Sequence, residues 1–244
     1  KTPGSKIQAV YMVYNATPAA VLTLKKTGIS KPADLVGKTL AAPVFDAGRK
    51  AWPAFAKSNK LDPASVKWQT VEPALRETLL ARGDVDAITG FYFTSVLNLE
   101  ARGVKPEDIV ALKYPDHGVE LYGNAIIASP KLLAENPKAV SAVLRGFNRA
   151  LKDTLANPAA AIAYVKERDP LINVPLETRR LKLALDHSVL TAEVRANGLG
   201  AVTAERMQRS LAETAEAYGL SRVPAAAELF NPAFLPARAE RMVK

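Results

Sequence analysis

The first half of the chain alternates short apolar runs with longer amphipathic stretches, and this alternation narrows the available folds more than any other feature. Ile7–Tyr14, Ala20–Lys25, Thr39–Pro43, Val66–Val71, Val85–Gly90 and Ile109–Tyr114 are each short, apolar and bounded by turn residues, which predicts strands. Residues 47–58, 72–82 and 94–102 carry helical spacing between them. Gly83 and Gly103 directly follow Arg82 and Arg102, the position where a glycine ends a helix in the left-handed region. The letters R-G-D at 82–84 therefore read as a helix stop. Strand and helix in alternation predict parallel strands with crossover helices, hence an open α/β sheet.

Beyond the irregular P-D-H-G-V segment, Tyr122–Ser129 predicts one more strand, and from there the pattern is helical. Ser129-Pro130, Asn136-Pro137 and Asn157-Pro158 each set a capping side chain before a proline suited to the first helical position. The helix from Pro137 places Val140, Val143, Leu144, Phe147, Leu151 and Leu155 on one stripe, the spacing of a face turned to a core. Residues 178–187 and 203–218 look similar, with Met207, Leu211 and Tyr218 on one side of the second. Arg222–Lys244, rich in Pro and Ala with Phe230 and Phe234, reads as an extended tail over the body.

Several kinds of chemistry are excluded. The 244 residues include no cysteine, which rules out disulfides, thiolate metal sites, iron–sulfur clusters and cysteine nucleophiles. His117 and His187 lack partners at metal-site spacing, so no metal or other cofactor is expected. The sequence has no phosphate loop, no dinucleotide fingerprint beyond the incomplete G-L-G at 198–200, and no nucleophile elbow. The net charge of +9 is scattered, without the basic runs interleaved with aromatics that nucleic-acid binding calls for. No apolar run reaches the roughly 20 residues of a membrane helix, and K-T-P-G-S-K at the start leads into no signal-like apolar stretch.

The residues that stand out lie just past strand ends, where open α/β sheets bind ligands. Tyr14 and Asn15 follow the first run, and Phe45, Asp46 and Arg49 the third. Phe91, Tyr92, Phe93 and Ser95 follow the fifth, and Tyr122 and Asn124 open the strand beyond the irregular crossing. Each group joins an aromatic ring to an amide, hydroxyl or charge, which suits a flat, polar small molecule. Three consecutive aromatics at 91–93 cannot all enter one core. One ring is expected inside and one or two outside, with Tyr92 or Phe93 the stacking surface and Thr94-Ser95 capping the next helix.

N-A-T-P-A-A-V-L-T-L-K at 15–25, K-P-A-D-L-V-G-K-T-L-A-A-P at 31–43, V-D-A-I-T-G-F at 85–91, L-Y-G-N-A-I-I at 121–127, N-P-K-A-V at 136–140 and A-N-G-L-G at 196–200 give the chain a family likeness. Together they resemble the thiamine-pyrimidine-synthase-like and sulfonate-binding-like solute-binding proteins of ABC importers. The resemblance implies two α/β lobes of the type II periplasmic-binding kind, with the ligand in a cleft between them and a helical C-terminal part. One lobe would span 28–116, and residues 1–27 with 117–244 would form the other, joined by crossings near Lys25 and Gly118. It further implies a periplasmic protein that captures a small solute, hands it to a permease and catalyses nothing. The aromatic set leans toward a planar ring in that solute, and the net positive charge with Arg49 near a helix N-terminus toward an anionic group.

Members of that family usually begin with further strands and helices before the segment that opens this chain. The sequence therefore reads as a fragment or processed form, and the sheet edges left open would allow a dimer with a second copy. Two other readings share the fold, a ligand-sensing module of a regulator or receptor and a pyrimidine-synthase-like enzyme. The missing cysteine motif counts against the second.

Overall fold

The computed structural model describes residues 6–243, so Lys244, the last residue of the expected tail, lies outside the described range. The strands are β1 (Gln8–Met12), β2 (Ala19–Leu24), β3 (Thr39–Ala42), β4 (Lys67–Thr70), β5 (Ala87–Phe91), β6 (Ile109–Lys113) and β7 (Ala125–Ala128). The α-helices are α1 (Ala47–Ser58), α2 (Arg76–Arg82), α3 (Tyr92–Glu100), α4 (Pro130–Glu135), α5 (Pro137–Ala156) and α6 (Pro158–Arg168), followed by α7 (Val174–Ala184), α8 (Ala192–Asn197), α9 (Ala204–Ala217), α10 (Ala226–Leu229) and α11 (Arg238–Arg241). They form two compact units. One takes Pro18–Leu121 and Glu213–Ser221; the other takes the described residues up to Thr17, Tyr122–Ala212 and the chain from Arg222.

The unit built on Pro18–Leu121 carries a five-stranded sheet in the order β4-β3-β5-β2-β6. Its logic is clearest in β2, whose six residues are all buried. Ala19 and Val21 face a cluster with Trp52, Phe55 and Tyr114, whereas Ala20, Leu22 and Leu24 face Leu80, Ile88, Val96 and Leu99. A strand covered by helices on both sides needs a near-continuous apolar run, which A-A-V-L-T-L supplies, with its one polar member, Thr23, donating to Asp86 O at 2.7 Å. The expectation of all-parallel strands is corrected here. β3 runs parallel to β4 and β5, but β2 runs antiparallel to both β5 and β6. The unit also takes in β2, which the expected boundary at residue 28 left out, because Ala19–Leu24 pairs with β5 on one side and β6 on the other.

The other unit has a two-stranded antiparallel sheet, β1 with β7, under a set of helices. The second edge of β1 meets bridges from Phe230 and Gly200. Tyr11 is fully buried; its hydroxyl donates to Asn148 Oδ1 at 2.9 Å, and its ring lies edge-on to Phe147. The same ring explains the glycine at 200, where φ is +77° and an added Cβ would sit 2.5 Å from the Tyr11 ring. Helix α5 turns Val140, Leu144 and Asn148 inward with Phe147, Leu151 and Leu155 beside them. Val143, expected on that stripe, is 64% exposed. At 100° per residue it lies well off the stripe's centre, so the rest of the face packs without it.

Ser129 and Asn157 cap as expected, accepting from Leu132 N and Ala160 N, whereas Asn136 makes no side-chain cap. Nor is the C-terminal segment simply extended. It folds into α10 and α11 with Phe230 buried, and Arg241 donates to the carbonyls of Pro236, Asn197 and Leu199.

Candidate functional site

Strands β3, β4 and β5 are neighbours and parallel, so their carboxyl ends lie along one edge of the sheet, and three turns leave from it. Beneath these turns is a buried polar network. Asp46 caps α1: its Oδ1 accepts from Arg49 N at 2.9 Å and from Thr89 Oγ1 at 2.7 Å, and its Oδ2 accepts from Arg76 Nη1 at 3.1 Å. Arg76 also donates from Nε and Nη2 to Glu77 Oε1 at 3.1 and 2.8 Å, and Ser95 Oγ donates to the same oxygen at 2.7 Å. One guanidinium thus lies between two carboxylates, with every ionic group hydrogen-bonded, the condition under which burying charge is tolerated. Gly90 makes room for it, since a Cβ there would approach Ser95 Oγ to 2.5 Å and Arg76 Cζ to 3.0 Å.

Above this floor the surface is apolar. Phe45 is 74% exposed, Val44 and Leu75 are exposed, and Phe91 is half-buried at the end of β5. Arg49, in the first turn of α1, donates from Nη1 to Ala42 O at 2.9 Å and Thr70 Oγ1 at 3.0 Å while its guanidinium lies 5.0 Å from the Trp68 ring centroid. Its Nε and Nη2 have no protein partner among the described residues. At the α1 N-terminus Asp46 already satisfies one of the first-turn amides, Arg49 N.

The F-Y-F segment is helical earlier than expected. α3 begins at Tyr92, with Phe91 at the cap position making no side-chain bond, so Thr94 and Ser95 lie inside the helix rather than capping it. Phe91 ends the strand while Tyr92 and Phe93, successive helical residues, point about 100° apart, and the rings separate accordingly. Phe93 is buried, Tyr92 packs half-buried over the Leu22–Val96 cluster with Lys113 Nζ 5.4 Å from its ring, and Phe91 stays at the strand end, 5.9 Å from Phe93.

The remaining expected residues gather in the other unit. Asn124 O accepts from Val13 N and Tyr14 N at 2.9 and 3.0 Å, and Tyr14 O accepts from Gly123 N at 2.8 Å, which ties the two segments together. Tyr14 is half-buried, and burial raises its pKa. Asn15 is fully buried. Its Oδ1 accepts from Thr191 Oγ1 at 2.6 Å and Arg206 Nη1 at 2.9 Å, and its Nδ2 donates to Glu193 Oε1 at 3.3 Å.

Tyr122 donates its hydroxyl to Glu193 at 2.6 Å, and its ring lies 4.2 Å below Arg206. Burial, and then the Glu193 hydrogen bond, push the Tyr122 hydroxyl up to about 12. Burial opposes ionisation of Glu193, yet hydrogen bonds from Tyr122, Arg206 and Asn15 outweigh it and hold the carboxyl below its ordinary value. The polar ends of Asn15 and Tyr122 are thereby engaged within the unit.

Sequence reasoning missed Arg76, Glu77, Thr89, Glu193 and Arg206, which hold both arrangements together. Nothing in their local patterns sets them apart from solvated helix charges or an ordinary strand threonine.

Comparison with known proteins now adds a decisive observation: the profile described as NMT1/THI5 like matches residues 1–161. The chain belongs to the NMT1/THI5-like family. Among curated relatives, the riboflavin-binding protein RibY of Chloroflexus aurantiacus is 27% identical over 160 residues, 65% of this chain and 44% of that protein. This NMT1/THI5-like chain thus spans under half the length of that curated relative.

Its fold matches the periplasmic aliphatic sulphonate binding protein SsuA of Escherichia coli with a TM-score of 0.68 at 17% identity, covering 99% of this chain and 70% of that one. It matches the ligand-binding component of an ABC-type import system from Staphylococcus aureus, solved with zinc bound, at 0.66 and 13%, covering 97% and 76%. The desulfurization enzyme DszB shares the fold at 0.55 and 13%, covering 98% and 80%. The fold class is therefore that of periplasmic binding proteins. Among the described residues no group of three or more His, Cys, Asp or Glu is arranged to hold a metal ion.

Proposed function

We propose that this chain is the solute-binding component of an ABC importer, works in the periplasm with a permease as partner, and takes a small solute with a planar ring and an anionic group. The observation that carries the reading is that exposed Phe45 is followed four residues later, past the carboxyl end of β3, by Arg49, whose Nε and Nη2 have no protein partner among the described residues. Phe45 and Phe91 supply ring surface, and Arg49 supplies the charge complement. Asp46, Arg76, Glu77 and Ser95 hold these residues in place. The binding functions printed for RibY, SsuA and the Staphylococcus aureus protein support this class of activity.

Thermal-shift screening of the full chain against riboflavin, pyrimidines, aromatic carboxylates and aliphatic sulfonates tests it. A rise in melting temperature with a planar anionic compound, reduced in F45A, is expected. No rise with any of these classes would overturn the solute assignment. The fold shared with DszB makes turnover worth checking, and recovery of the stabilising compound unchanged after incubation supports binding alone.

A further inference from the structure

A row of cations runs along α5. At 100° per residue, Lys138, Arg145, Arg149 and Lys152 fall within a sector of about 60°, and at 1.5 Å per residue they extend over roughly 21 Å. Lys138, Arg145 and Arg149 are exposed, and their side chains make no hydrogen bond or ion pair among the described residues. Lys152 Nζ donates to Glu240 O at 3.1 Å.

Two grooves open beside the row. One, of about 480 Å³, lies between Arg145, Arg149, Lys152 and the Pro236–Glu240 segment; the other, of about 390 Å³, lies between Lys138, Arg145 and Ala233-Phe234. Arg145 lines both. Gly146 lies next to it with open space where a Cβ would be, so a ligand can approach the helix backbone closely. Two carboxylates share the lower groove. Asp153 is exposed, and Glu240 is engaged through Oε2 with Ala237 N, which leaves the row net positive.

We propose that this face of α5 docks on an anionic lipid surface, with phosphate headgroups seated in the two grooves. The length decides against a single small anion, because a row of about 21 Å addresses several charges at once. Phe234 at the groove wall adds the apolar contact that basic surface helices use at an interface. No described helix is long and apolar enough to cross a membrane. Each cation near an anionic bilayer adds to the attraction, which weakens within a Debye length.

Flotation of the full chain with phosphatidylglycerol-containing and pure phosphatidylcholine vesicles at low salt tests the proposal. Binding to the anionic vesicles only, weakened about tenfold or more by R145E/R149E and released by high salt, is the expected result. A charge-matched control, K60E/K105E in the other unit, should keep its binding. Circular dichroism confirms that each variant is folded. Equal binding to both vesicles, no binding to either, or an equal loss in the control would each overturn the proposal. Retention on an acidic protein or a soluble polyanion without flotation would show that the row serves a macromolecule and not a lipid surface.

Discussion

Arg76 donates to Asp46 across 3.1 Å with both side chains about nine-tenths buried, although the two residues are thirty positions apart in sequence. This contact links the turn after β3 to the helix after β4, and Glu77 and Ser95 extend it to the helix after β5. Removing the guanidinium strands two carboxylates. R76A should therefore lose about 3–5 kcal/mol of stability, the range for breaking one partner of a buried ion pair, read as a lower urea midpoint. A loss under about 1 kcal/mol would mean that water reaches the network and replaces the arginine.

Gly90 should tolerate no side chain while Ser95 keeps its hydroxyl. G90A is expected to cost about 1–3 kcal/mol by overpacking. In a double-mutant cycle, S95A should recover part of that loss by removing the nearest atom, Ser95 Oγ. Strict additivity of the two substitutions would show that the backbone moves to admit the methyl group instead.

Phe45 separates binding from stability. Because the ring is so exposed, F45A should change unfolding free energy by no more than about 0.5 kcal/mol. Calorimetry with whichever compound stabilises the chain should show about a tenfold loss of affinity, the scale of one aromatic stacking contact. Unaltered affinity would place the ligand elsewhere.

Acid sensitivity should trace in part to Glu193. Its folded-state pKa lies below the ordinary 4.5, so the unfolded chain takes up the proton first as pH falls. The stabilisation is present above 4.5 and disappears as pH drops through the folded value. The stability gap between wild type and E193Q should accordingly narrow between neutral pH and about pH 3, measured by urea unfolding at each pH. Tyr122 behaves in the opposite sense. Held at about 12 against an ordinary 10, it favours the fold below pH 10 and loses that contribution as pH rises to 12, a dependence that Y122F should lack.

Much of the fold was legible in advance for local reasons. Capping residues before Pro130 and Pro158, glycines after α2 and the short apolar runs of β2 to β6 each report a backbone state that the residue itself favours. Where the reading failed, the deciding partner was distant. An apolar run such as Ala19–Leu24 reads the same in either direction, so its antiparallel course came from its neighbours β5 and β6. The start of α3 at Tyr92 was hidden because an aromatic at a helix start carries no capping signal.

The site divides along the same line. The sequence by itself determined that rings and polar groups follow the strand ends, because strand runs and turn residues mark those positions locally. Only the tertiary structure decided what those groups do. It buried Asn15 and Ser95, left Phe45 in the open, turned Phe93 inward and brought Arg76 and Glu193 to their partners, since burial and ion pairing depend on residues that meet only when the elements pack.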